Sequence, residues 1–243
     1  MILVLIALFV IAFFVSFVLI TKRKLRIIAS LISFVALVAS LTLLIQNDKY
    51  HFGMKQVSHV TSHQIFTAAP KTPADLLLYQ QVGKGSEENV YIYKKHADSN
   101  ATHTQTDGKT INCVFFTSAK QATIEVTTIR YEYKNNLYKL FFGLGDNETL
   151  VSRNNTFNLP KSWLKISTTN AKKLAQIQKD MTPAQKQAQE TAAKAAISAK
   201  VKAAIMANPK LATDPSAQAK IVKQATTDFQ QKAFADIVNK LEK

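Results

Sequence analysis

The chain has 243 residues, 31 basic against 16 acidic side chains, a hydrophobic fraction of 47% and a formal net charge of +15. That length accommodates one or two domains, and a single cysteine, Cys113, excludes any internal disulfide framework. These averages cover three unlike parts: an apolar head, a mixed middle and a polar tail rich in Lys, Ala and Gln.

The head contains two runs without charge or proline, "ILVLIALFVIAFFVSFVLI" from Ile2 to Ile20 and "IIASLISFVALVASLTLLI" from Ile27 to Ile45. About 20 apolar residues rising 1.5 Å each span a hydrocarbon core of about 30 Å. In lipid only a helix of this kind satisfies its own backbone. The pattern therefore predicts a two-helix transmembrane hairpin over residues 1–45, with spans 2–20 and 27–45 and a loop at 21–26. Lys22, Arg23, Lys24 and Arg26 in that loop are the only charged side chains before Asp48. Short basic loops stay on the cytoplasmic side, so the tip is expected inside. Both termini are then extracytoplasmic, and +11 of the net charge lies outside.

A cleaved signal peptide competes for the first run, but no basic residue precedes it and no small-x-small site follows. The second run has "KRKLR" in front and "ALVAS" as a conceivable cleavage site, although that site falls in mid-span. Ala29, Ser33, Ala36 and Ser40 place small residues along one face of the second helix, which admits another helix closely. Packing against the first helix is the plain reading. A self-association seam or a partner's docking face is the alternative.

Residues 46–168 read as a small, mostly antiparallel β domain outside the membrane. Tyr50, His51 and Phe52 have the amphipathic character of the headgroup layer. "DLLLYQQV" and "NVYIYKK" flank a Gly-containing turn, which predicts a hairpin over Asp75–Lys95, and His96–Thr110 reads as a polar loop. "INCVFFT", "ATIEVTTIRYEYKNN", "LYKLFFG" and "TLVSRNNTFNLP" read as further strands, with a change of buried face at Thr127-Thr128 that suggests a bulge. Asn135-Asn136 and Gly143, Gly145 and Asp146 mark turns. Cys113 is expected buried and inert in its apolar run, and Trp163 is expected to anchor the core or the membrane interface.

"NDKYHFGM", "DLLLYQQVG" with "VYIYK", "IRYEYKNNLYKLFFG" and "NTFNLPKSWLKIST" resemble the motifs of the domain of unknown function 4811 family. The resemblance covers about Met1 to Leu174. It implies a small membrane protein of the Gram-positive envelope with a two-span anchor, and it carries over no catalytic or binding residue. The tail lies beyond it.

Residues 169–243 form that tail and read as helices. Thr182 to Gln185 combine a capping threonine, proline at the first helical position and glutamine three after the cap. Pro209 stops this helix and Asp214-Pro215 opens the next. There Ile221, Ala225, Phe229, Ala233, Ile237 and Leu241 make an amphipathic stripe that needs a partner surface. An antiparallel pair with the preceding helix, a coiled-coil oligomer and a surface-lying helix all fit.

The sequence nominates no catalytic, cofactor-binding or metal-ligating residue. It contains no phosphate loop, no serine-hydrolase elbow and no S-x-x-K set. On a strand, His59 and His63 lie about 13 Å apart, too far to share a metal. Glu87-Glu88, Glu125 and Glu132 give no defensible carboxylate pair. The expected protein is therefore a membrane-anchored α+β chain, not an enzyme, acting in the cell envelope by binding. Candidate partners are an anionic wall polymer, lipid headgroups, another membrane protein or a second copy, but not nucleic acid. An accessory subunit of a transporter or wall-synthesis complex is the alternative, and an unrecognised hydrolase a weaker one.

Overall fold

The computed structural model describes residues 1–70, 72–82, 88–143 and 149–242. It is an α+β protein with two four-stranded sheets. Two compact units divide it, one of residues Met1–Val60 with Thr127–Arg153, the other of Thr61–Val126 with Asn154–Lys243.

The first unit begins with helices α1 (Ile2–Val18) and α2 (Arg23–Tyr50), which pack together. A four-residue link makes them antiparallel, and Phe13 stands 6.0 Å from Phe34 across the pair. Among the described residues, helix α2 alone is long and apolar enough to cross a membrane by length and composition, while α1 is apolar but only 17 residues long. Just 11% of the most apolar stretch of α2 is buried, unlike the core helix of a water-soluble protein.

Helix α2 is longer than the apolar run because "RKLR" and "QNDKY", good helix formers for the most part, extend it at both ends. It stops where His51 turns left-handed (φ 54°) and its N–H bonds Gln46 O. The unit is completed by parts of β1 (Met54–Gln64), β6 (Thr123–Tyr133) and β7 (Leu150–Pro160), and by the short helix α3 (Asn136–Phe142).

In the second unit β2 (Leu76–Gln81) and β3 (Asn89–Lys94) form the expected antiparallel hairpin, with Tyr79 opposite Tyr91. Its turn at 83–87, Glu87 included, lies outside the described residues, as does the turn at Gly145-Asp146. Strands β4 (Ala101–His103) and β8 (Leu164–Ser167) flank this hairpin in the order β4-β3-β2-β8. The other sheet has the order β1-β6-β7-β5, with β5 (Thr110–Thr117) on its edge.

Strand alternation sorts the side chains. Leu77, Tyr91 and Tyr93 meet Ile65, Ile124, Phe157, Leu159 and Trp163 in one buried cluster. Leu76, Leu78 and Ile166, on the opposite face, pack against helices α4 (Thr168–Asp180) and α6 (Pro215–Leu241).

The tail therefore has a partner surface within the chain. Helix α5 (Pro183–Ala207) starts at a Thr182–Gln185 capping box, a 3-10 turn covers Pro209–Thr213, and Asp214 caps α6. Helices α5 and α6 pack as a pair bridged by Lys200 and Asp228. The buried residues of α6 are Ala225, on the stripe that periodicity singles out, and Phe234 and Val238 beside it, the last two seated on Leu76, Ile166 and Leu174.

Several expectations are corrected. "LYKLFFG" is helical rather than extended: the Asn135 side chain accepts a hydrogen bond from Tyr138 N at 3.1 Å, and no β-branched residue opposes the turn. The mostly antiparallel reading gains one exception, because β8 runs parallel to β2, with Leu76 opposite Leu164. The polar loop contains the short strand β4. Cys113 is exposed, since β5 is an edge strand and Cys113 shares its outward parity with Ile111 and Phe115.

Candidate functional site

The site is built around the link from α2 to β1. Asn47, 97% buried by its 3% exposure, donates from Nδ2 to Phe52 O at 2.7 Å, and Lys134 N donates to Gly53 O at 2.9 Å. The His51 ring stacks on Tyr131 with centroids 3.7 Å apart, and Phe52 meets Tyr138 edge-on at 5.7 Å. Gly53 has φ +81°, and a Cβ there would lie 2.4 Å from Cδ1 of Tyr138. Only glycine accommodates both the dihedral and the ring. Gly53→Ala is therefore expected to cost about 1–3 kcal/mol, read as a lower melting temperature of the full chain in detergent, with α2 helicity retained.

Helix α3 sits beside this link. The Met1 amino group donates to Leu140 O and Phe141 O, at 3.2 Å each, a favourable placement of a cation at a helix C-terminus. Between α1, α2 and α3 lies a cavity of about 370 Å³, lined by Ile2, Leu5, Ser40, Leu43, Phe52, Asn135, Leu137, Tyr138, Phe141 and Phe142. Its size falls in the range of small-molecule sites. Of its three polar side chains, Ser40 Oγ donates to Ala36 O at 2.8 Å, Asn135 Oδ1 caps α3, and Tyr138 packs its ring against Phe52 and Phe142. The remaining wall is hydrocarbon and aromatic ring, which selects an apolar occupant.

Ser33 and Ser40 on α2 are buried, and Ala29 and Ala36 are half-buried. Lys22, Arg23 and Lys24 are exposed at the opposite end of the hairpin, with Arg26 half-buried. His59 and His63 are exposed on β1, and His59 Nε2 pairs with Glu132 Oε1 at 2.5 Å. Trp163 lies in the β-domain core. Among the described residues, no three His, Cys, Asp or Glu side chains group to hold a metal. The cavity residues on α3 escape a strand reading of this segment. The signal is present all the same: a capping Asn135, then apolar Leu137, Leu140 and Phe141 at helical spacing.

A second constellation ties down α6. Glu242 accepts hydrogen bonds from Tyr79 Oη at 2.5 Å, Ser167 N at 2.9 Å and Asn170 Nδ2 at 3.0 Å, and Lys165 Nζ lies 5.1 Å over the Tyr79 ring. Burial alone would raise the Glu242 carboxyl, but these bonds outweigh it and hold it below its ordinary 4.5. The bond to Glu242, then burial, pushes the Tyr79 hydroxyl from 10.0 up to about 12.

The Glu242 contribution is complete above pH 4.5 and is lost as pH falls through the lowered value. The Tyr79 contribution is complete below pH 10.0 and is lost as pH rises through about 12. Glu242→Gln is expected to cost about 1 kcal/mol at neutral pH, discounted for solvent screening. It should also flatten the acid limb of a melting-temperature profile, and an unchanged limb would remove Glu242 from this role.

An α+β chain with an apolar amino-terminal helix pair and this ring of contacts at its far end is the class of protein that fold and site define. The chain belongs to the family described as Domain of unknown function (DUF4811), whose profile matches residues 22–174. No curated protein and no solved structure matches it. The match ends inside α4, so α5, α6 and Glu242 lie outside the matched region, whereas Tyr79, Ser167 and Asn170, which bond Glu242, lie inside it.

Proposed function

We propose that this protein is an envelope protein held by two spans, α1 and α2, with the Lys22–Arg26 tip in the cytoplasm and the β-rich part and tail outside. There it acts by binding an anionic envelope partner, without catalysis. The observation carrying this reading is the outward surface of the helix pair. Phe14, Phe17, Leu31, Ile32 and Val35 are all exposed, and apolar side chains continue along both helices. Water-soluble monomers do not expose apolar surface on this scale. The four cations begin α2, where they oppose the helix dipole at about 0.3–1 kcal/mol each. Their placement serves orientation rather than helix stability.

The external part carries +11, which attracts polyanions in a salt-sensitive way. The full chain in nanodiscs of neutral lipid should bind purified teichoic acid or anionic vesicles at an ionic strength of about 0.05 M and release them by about 0.5 M. Absence of binding at both strengths would overturn the polymer reading.

The exposed edge strand β5, with Ile111, Phe115 and Phe116 uncovered, favours a second reading. An accessory subunit would use such an edge to pair with a protein partner. Crosslinking in native membranes that recovers only the chain itself would count against it.

A further inference from the structure

We propose that the cavity between α1, α2 and α3 holds an acyl chain of a membrane lipid, with α3 lying in the outer headgroup layer. This rests on the two-span reading above and adds a ligand class to it. Leu43 lies nineteen residues along α2 from Lys24, about 28 Å at helical rise. The cavity is therefore one hydrocarbon thickness from the cationic tip, at the level where acyl chains meet their headgroups.

Three features fit that occupant. The lining is apolar apart from Ser40 and Asn135, which are engaged locally, and the hydroxyl of Tyr138. Leu137 and Leu140 of α3 are 65% and 56% exposed, and Phe141 is 38% exposed. A helix turn of that kind is stable at a membrane surface and costly in water. Lys139 on α3 and Lys49, in the last turn of α2, supply cations near this level, matching the phosphates of anionic lipids. Asn135 caps α3 and Gly53 lets Tyr138 close one wall. The cavity is thus held by backbone features rather than by chance packing.

The test uses the full chain in nanodiscs containing phosphatidylglycerol with a photoactivatable diazirine in the acyl chain. Adducts are mapped by mass spectrometry, with and without competing palmitic acid. The expected result is label concentrated on Leu5, Leu137, Tyr138 and Phe142 and reduced at least five-fold by palmitic acid. Ser40→Phe, which fills the cavity, should produce the same reduction. Labelling of the outward Phe14, Phe17 and Leu31 should be unaffected by either. Even labelling along α1 and α2 that neither treatment changes at the cavity would overturn the acyl-chain site while leaving the two spans intact. No label anywhere on α1 and α2 would overturn the membrane reading itself.

Discussion

Phe157→Ala is expected to lower the stability of the β-rich unit by about 3–5 kcal/mol. Phe157 is fully buried at 0% exposure, and its ring lies 5.1 Å from Tyr91 and 5.6 Å from Tyr93, the latter edge-on. It thus joins the buried faces of the two sheets at the centre of the cluster that also holds Leu77, Leu159 and Trp163. Removing the ring loses transfer energy and aromatic pairing, and it leaves a void between strands that hydrogen bonding holds in place. Against a typical stability of about 5–15 kcal/mol, such a loss unfolds a large share of molecules near growth temperature. The α1–α2 pair draws nothing from this cluster. The variant should therefore keep its membrane extraction behaviour while its β-rich part becomes protease-sensitive. Loss of both together would show that the two units fold as one.

Replacing Lys22, Arg23, Lys24 and Arg26 with glutamine is expected to change the orientation of the whole chain. With them gone, the side-chain cations nearest in sequence to the apolar helices are Lys49 and Lys55, both beyond α2's apolar stretch. The charge bias that retains a loop in the cytoplasm then favours the opposite side. A large fraction of chains should insert with the β-rich part inside, or only with α2 spanning. Helix stability should not fall, because the substitution relieves cations from the start of α2. A glycosylation or alkaline-phosphatase reporter after residue 242 reads the change, and an unaltered reporter signal would mean that these four residues do not set orientation.

What the sequence discloses follows the strength of its periodicities. The apolar runs, the "TPAQ" cap and the Asp214-Pro215 start are strong local signals, and α2, α5 and α6 appear where those signals lie. The β2–β3 hairpin is legible for the same reason, with strand formers on both sides of a turn.

Elsewhere the signal is local but the outcome depends on distant partners. "LYKLFF" suits a strand by composition, and only the Asn135 side chain, by capping Tyr138 N, tips it into a helix. The parallel strand β8 is four residues long and is defined by its pairing with β2 across some ninety positions, which no short window reveals. Cys113 reads as core because "INCVFF" is apolar, yet strand order puts it on an uncovered edge. The candidate cavity was hidden most completely. It draws on α1, α2, α3 and the Phe52 link, and nothing in the spacing of those segments brings them together.

The central claim is that the part of the chain beyond α2 lies outside the cell, and Cys113 provides the direct test. It is the only cysteine in the sequence and is exposed on β5. Intact protoplasts carrying the full chain are treated with a membrane-impermeant maleimide before or after lysis. A Lys24→Cys, Cys113→Ser variant reports on the tip in parallel. The account predicts that Cys113 is labelled in intact protoplasts as fully as after lysis, while the cysteine at position 24 is labelled only after lysis. Cys113 protected until lysis, with position 24 open from outside, would contradict the orientation and the envelope function drawn from it.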